Sequence, residues 1–277
     1  MRRFPPLILP LSIALLAYTQ TEAQTIPGNR NSGKKIQQYM ALHPAQEEGQ
    51  FIHEFSFGGS LNTNGWDGFL QYGKAKNEKI NWMFQLEAGE TKDPKEYKNP
   101  GTVYPVYNQG IIYTMSARPY IFGKENILYH INLNFGQTWL IGGKANTNGV
   151  SVSAVYAVGV TLGLIRPYYL QLYSDSSGTA TTYQKFNSGD SASFLNPGFI
   201  AGGSGLSRGW NELSIDPGIQ GKAALRFDWS KFDNVVSSVE AGVRVQAYTQ
   251  KVYIMALEPP HQVFLNAYIA VMFGKRW

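Results

Sequence analysis

Val150-Ser151-Val152-Ser153-Ala154-Val155-Tyr156-Ala157-Val158-Gly159-Val160-Thr161-Leu162-Gly163 decides the fold. Val150, Val152, Ala154, Tyr156, Val158, Val160 and Leu162 alternate with Ser151, Ser153, Ala157, Gly159, Thr161 and Gly163. A two-residue period sends successive side chains to opposite faces of a strand, so one face here is apolar and the other small or polar. The run holds about thirteen residues. Soluble strands average roughly five to six residues, whereas a strand that crosses a bilayer needs about nine to eleven.

The same alternation recurs outward from this stretch. Upstream it appears at Phe51–Leu61, Trp66–Tyr72, Ile80–Ala88, Ile111–Ala117 and Ile127–Phe135. Downstream it appears at Tyr168–Tyr173, Ile219–Trp229, Val239–Ala247 and Val263–Phe273. Asn62-Thr63-Asn64-Gly65 between the first two is a hairpin turn signal. This predicts an all-β, antiparallel, up-and-down transmembrane barrel of about ten strands, with eight or twelve as alternatives. Gly73–Lys79, Phe122–Asn126, Leu164–Pro167 and Ser230–Asn234 read as short turns. The regions 90–110, 174–216 and 249–262 read as long loops. Alternating short and long connections are the pattern of outer-membrane barrels, with short periplasmic turns and longer outside loops. Trp66, Tyr72, Trp82, Tyr113, Tyr129, Trp139, Tyr168, Trp229 and Phe273 fall near strand ends, where rings favour the headgroup zone.

Composition agrees. The 277 residues are 43% hydrophobic but only 16% charged, and mean hydropathy is −0.23. Alternation explains the combination, because one apolar face averages out along the chain. So much apolar content excludes disorder. The lack of cysteine excludes disulfide scaffolds and Cys-ligated metal sites. The basic Met1-Arg2-Arg3, the apolar Leu7–Ala17 and the Thr21-Glu22-Ala23 site read as a signal peptide over 1–23, exported to the cell outer membrane. A polar periplasmic leader over 24–50 and a barrel over 51–277 complete the predicted organisation.

Phe273-Gly274-Lys275-Arg276-Trp277, with apolar residues at alternate positions upstream, resembles the terminal strand of outer-membrane β-barrels. Gly73-Lys74, Lys92–Lys98 and Pro167-Tyr168-Tyr169-Leu170 resemble segments of Bacteroidota-type outer-membrane barrel proteins. The resemblance implies place and architecture and supplies no catalytic motif. It also implies that the barrel-assembly machinery reads the last strand, with Phe273 and Trp277 as the insertion signal.

The polar faces gather Glu54, Asp67, Glu87, Arg118, His130, Lys222, Arg226, Asp228, Glu240 and Arg244 inside. Charges in a narrow interior must pair or meet water. They therefore read as a structural ion-pair network, with a narrow conduit as the alternative. An outer-membrane hydrolase would draw on Asp175, Asp190 and His261, but no spacing links them. No cofactor or metal motif is present. Lys92, Lys95 and Lys98 are candidates for lipopolysaccharide phosphates. Lys74, Lys76, Lys79, Lys124, Arg166, Lys231, Lys275 and Arg276 read as turn cations facing anionic headgroups. The positive net charge of +5 is thus assigned to outer-membrane lipid, not nucleic acid. The function expected is a structural or interaction component of the cell envelope, within a larger secretion or assembly complex. A narrow porin-like transporter is second and a hydrolase third.

Overall fold

The computed structural model describes residues 52–101, 103–108, 111–116, 118–144, 149–174, 180–187, 189, 191–230 and 234–277, with backbone alone for 103–108 and 111–116. The predicted signal peptide and leader lie outside these residues. Eight strands form the wall: β1 (His53–Asn62), β2 (Gly65–Ala75), β3 (Ile80–Thr91), β4 (Asn126–Gly142), β5 (Ser151–Pro167), β6 (Ser214–Asp228), β7 (Val235–Val252) and β8 (His261–Arg276). Each pairs antiparallel with its neighbours in the chain, and β1 closes the barrel on β8 with Phe57 opposite Phe273.

Ser151–Gly163 lies within β5, and its period sets the wall. Tyr156, Val158, Val160 and Leu162 point outward and are exposed, while Val155, Ala157 and Thr161 are buried inside. The same inversion runs around the barrel. Phe57, Leu70, Phe84, Leu133, Ile219, Val243 and Leu265 are exposed on the outer wall. Gln71, Glu87, Asn132, Lys222 and Arg244 are buried within it.

The termini of the barrel lie at one end with the turns 76–79, 143–150 and 229–234. We call this the turn end. At the opposite loop end, β1 and β2 are joined by Thr63-Asn64 alone. Gly65 follows at φ 151°, where a Cβ would lie 1.9 Å from Glu90 O, so glycine is required. The connections 92–125 and 168–213 are long, and 253–260 is shorter.

The wall has eight strands, not about ten. The two segments counted in excess are in the long loops. Ile111–Ser116 pairs with Val103–Asn108 in a separate hairpin. Tyr169–Tyr173 is the middle of a three-stranded sheet with Thr181–Lys185 and Ile200–Gly203. At six and five residues, both are too short to cross a membrane. The second packs its own small core of Leu170, Leu172, Phe194 and Ile200. Two expected turns change accordingly: Leu164–Pro167 is the end of β5, and Phe122–Asn126 leads into β4 from the loop.

The 253–260 connection folds against the 92–125 loop. Glu125 N donates to Ile254 O and Ala256 N to Gly123 O, both at 2.8 Å. Val252, Ile254 and Met255 then bury against Leu128, Tyr248 and Phe264, and an apolar layer covers the mouth at the loop end.

Candidate functional site: the barrel interior

The inward positions of each strand follow from parity, so one register fixes which polar groups meet. At the turn end, Arg276 bridges Glu54 at 2.9 Å and Asp228 at 2.6 Å. Asp228 also accepts from Ser230 N at 2.8 Å, and Lys144 Nζ lies 3.9 Å from it. One level deeper, Arg226 reaches Glu240 at 2.8 Å and Gln71 at 2.9 Å. Tyr268 OH donates to Glu240 at 2.7 Å. Lys222 lies 3.1 Å from Glu87 and 3.5 Å from Glu240, and donates to Gln85.

Nearer the loop end, Arg244 meets Asp67 at 2.6 Å and Glu87 at 3.2 Å. Ser60 and Asn62 donate to Asp67 at 2.5 and 2.7 Å, and Asn132 and Gln220 donate to Glu87 at 3.1 and 3.0 Å. His130 Nδ1 is 3.1 Å from Thr91 Oγ1, with its Nε2 3.9 Å from Asp67. Above this layer Asp216 accepts from Thr249 Oγ1 and from Gln250 N, just beneath the apolar cover.

Five interior carboxylates (Glu54, Asp67, Glu87, Asp228, Glu240) therefore face a cation, and Asp216 is held by neutral donors alone. Taking one charge into a dry interior costs several kcal/mol unless it is paired and hydrogen-bonded. The network meets that condition in layers that run the length of the lumen.

Of the residues named from the sequence, Glu54, Asp67, Glu87, His130, Lys222, Arg226, Asp228, Glu240 and Arg244 are brought together here. Arg118 is not. It is exposed in the 92–125 loop and points to Ser204 O at 3.5 Å. Its strand-like context belongs to the loop hairpin, which never joins the wall. Arg276, expected at the membrane surface, turns inward instead. Its signal was available, since it shares parity with Asn266 and Tyr268 on β8. Gln71, Gln85, Gln220 and Asn132 share the same polar faces and join the network as neutral amides.

Lys124 and Arg166 lie at the loop end, not in turns. Lys124 is buried beside Glu96 at 2.7 Å and Glu90 at 3.9 Å. Arg166 lies against the rings of Tyr129 and Trp210, which stack on each other with centroids 5.7 Å apart, and donates to Leu206 O at 2.7 Å. In the 168–213 loop, bonds from Lys185 and Tyr169 hold the Glu212 carboxyl below its ordinary range. Lys95 pairs with Glu258 at 2.7 Å and Lys92 with Glu90 at 4.0 Å. Asp175, Asp190 and Lys231 lie outside the described residues. His261 is exposed at the start of β8, its ring against Phe264. Among the described residues no group of three or more His, Asp or Glu side chains is placed to hold a metal ion.

No family model matches the sequence, and no curated protein matches it. Among solved structures the chain is similar to the attachment invasion locus protein Ail of Yersinia pestis, at 9% identity and a TM-score of 0.36, over 81% of this chain and 97% of that one. It is similar to the N-terminal β-barrel domain of OprF of Pseudomonas aeruginosa, at 10% identity and 0.32, over 80% and 96%. It is also similar to a major outer membrane protein of Thermus thermophilus, at 9% identity and 0.35, over 80% and 99%.

Proposed function

We propose that the chain is an integral outer-membrane barrel with a closed lumen, serving as a structural or interaction component of the cell envelope. One observation carries this reading: the polarity of the wall is inverted, with apolar side chains exposed outside and paired charges buried inside. In water such a belt would drive aggregation, because soluble monomers rarely expose contiguous apolar patches beyond a few hundred Å². In a bilayer the same belt is the solvated face.

The lumen supports a closed barrel more than a conduit. Eight strands enclose a space that side chains just fill. Here ionic layers fill it and an apolar layer covers one mouth. That leaves the loop end, with its folded sheet and hairpin, as the surface for envelope partners. The barrel-assembly machinery and lipopolysaccharide are the contacts expected during and after insertion.

Planar-bilayer recording tests the lumen. The pure protein should insert and show no single-channel steps, whereas stable steps would favour the porin-like reading. Affinity purification from membranes should yield a stoichiometric envelope partner. Recovery of the barrel alone would count against an interaction role.

A further inference from the structure

The outer wall is not uniformly smooth. Outward positions on β6 run Ile219, Gly221, Ala223 and Leu225, so two small residues sit between two large ones. A Cβ on Gly221 would meet nothing within 4 Å. Val158 and Tyr156 on β5 and Val245 and Val243 on β7 stand opposite in register and form the walls of a notch. The resulting cavity is about 530 Å³ and extends to Trp82 and Phe135.

A side-chain amide opens onto it beside the Tyr156 hydroxyl. Gln137 is an outward residue of β4, between Phe135 and Trp139 on its strand and between Trp82 and Tyr156 across it. Its Oε1 accepts from Tyr156 OH at 2.6 Å, and its amide nitrogen has no partner among the described residues. A free N–H₂ group on an apolar wall costs free energy unless an acceptor comes to it.

The track continues toward the turn end. The next row holds Trp139 and Ala154, which line a second depression with Lys79 at its rim. Lys79 is exposed and forms no ion pair among the described residues. The four-residue turn also holds Lys76, over the Trp82 ring at 5.4 Å, and Glu78, and is net positive.

Cation, amide and apolar notch thus follow one another from the membrane surface inward. Phosphate, ester oxygen and acyl chain have the same order in a phospholipid. We propose that this track binds one phospholipid of the leaflet at the turn end, with an acyl chain in the Gly221–Ala223 notch, an ester oxygen on the Gln137 amide and the phosphate at Lys79. The site rests on the membrane reading, and the short turns place it in the periplasmic leaflet.

The test uses full-length protein reconstituted in vesicles of phosphatidylethanolamine and phosphatidylglycerol. It is then moved to mild detergent and examined by native mass spectrometry. Wild type should retain one phospholipid. Gly221→Leu, whose Cβ would meet nothing within 4 Å, fills the notch and should lower retention about tenfold by shutting methylenes out of it. Gln137→Leu should also lower it. Ala267→Leu, outward on β8, should retain lipid as wild type does. Equal retention by wild type and Gly221→Leu overturns the proposal. So does a lipid-free dimer that Gly221→Leu turns to monomer, which would make a second copy the occupant. Failure of wild type to float with vesicles overturns the membrane reading itself and the site with it.

Discussion

Arg244 Nη1 lies 2.6 Å from Asp67 Oδ2, and this contact ties β7 to β2 through the lumen, past β8 and β1. Both side chains are inaccessible to solvent, at 1% and 0%. Arg244→Leu leaves Asp67 without its cation and Glu87 with Lys222 alone. Breaking a buried pair from one side costs about 3–5 kcal/mol. Equilibrium urea unfolding of refolded barrels should show a loss of that order. Arg244→Leu combined with Asp67→Leu should recover part of it, since two apolar groups leave no orphan charge. An Arg244→Leu barrel as stable as wild type would sink the view that these layers hold the wall together.

Glycines facing the two sides of the wall should behave in opposite ways. Gly136 faces inward, and a Cβ there would lie 2.2 Å from Tyr156 O and 2.6 Å from the Ala157 Cβ. The backbone has nowhere to yield in a closed sheet, so Gly136→Val should not reach the folded form. Gly221 faces outward into open space, so Gly221→Val should fold normally. Electrophoresis before and after boiling reads this directly: the first variant should lose the heat-dependent shift in mobility and the second should keep it.

These pairings mark where sequence reading stops. Parity alone carried Glu54, Glu87, Lys222 and Glu240 to the interior, because period two is a property of each strand by itself. It could not say that Arg226 pairs with Gln71, 155 positions away, since that depends on the stagger of the closed sheet. Nor could it separate a wall strand from a loop strand. Ile111–Ser116 and Tyr169–Tyr173 alternate as wall strands do, and only their length and partners show otherwise. Arg118 went astray with the first of them.

The buried Lys124 makes the loop end separable from the wall. It lies 2.7 Å from Glu96 and 3.9 Å from Glu90, and its backbone bridges to Met255. Lys124→Met leaves two carboxylates facing each other under the 253–260 loop. The wall has its own hydrogen bonds and should stay folded, with the heat shift unchanged. The 92–125 loop should loosen, and trypsin should cut at Lys95 or Lys98 at least several-fold faster. Unchanged cleavage would mean that the apolar layer alone holds the loop.

On the closed-lumen reading, that layer and the ionic layers act in series. Ile254→Ser with Met255→Ser should disrupt the apolar cover over Tyr248 and Phe264. The Arg244, Lys222 and Arg226 layers remain beneath it, so planar bilayers should still show no conductance. Opening by this change alone would place the barrier in the loop and leave the ion pairs a lesser part.

Trp277 holds the closing seam in a way that separates insertion from stability. Its backbone exchanges bonds with His53, with Trp277 N donating to His53 O at 3.0 Å and His53 N donating to Trp277 O at 2.9 Å. Those bonds do not need the indole. The ring instead stacks on His53 at 6.0 Å between centroids, and His53 in turn meets Tyr72 OH at 2.7 Å. Trp277→Ala should therefore leave the barrel fold intact and cost only the ring packing, on the order of 1 kcal/mol. Spontaneous folding into detergent or thin vesicles should be nearly unchanged. Insertion in cells should fall severalfold if the assembly machinery reads the terminal aromatic, and Trp277→Phe should restore it. The informative measurement is the ratio of the two yields. Equal losses in cells and in vesicles would make Trp277 a packing residue of the seam and remove its role as a signal.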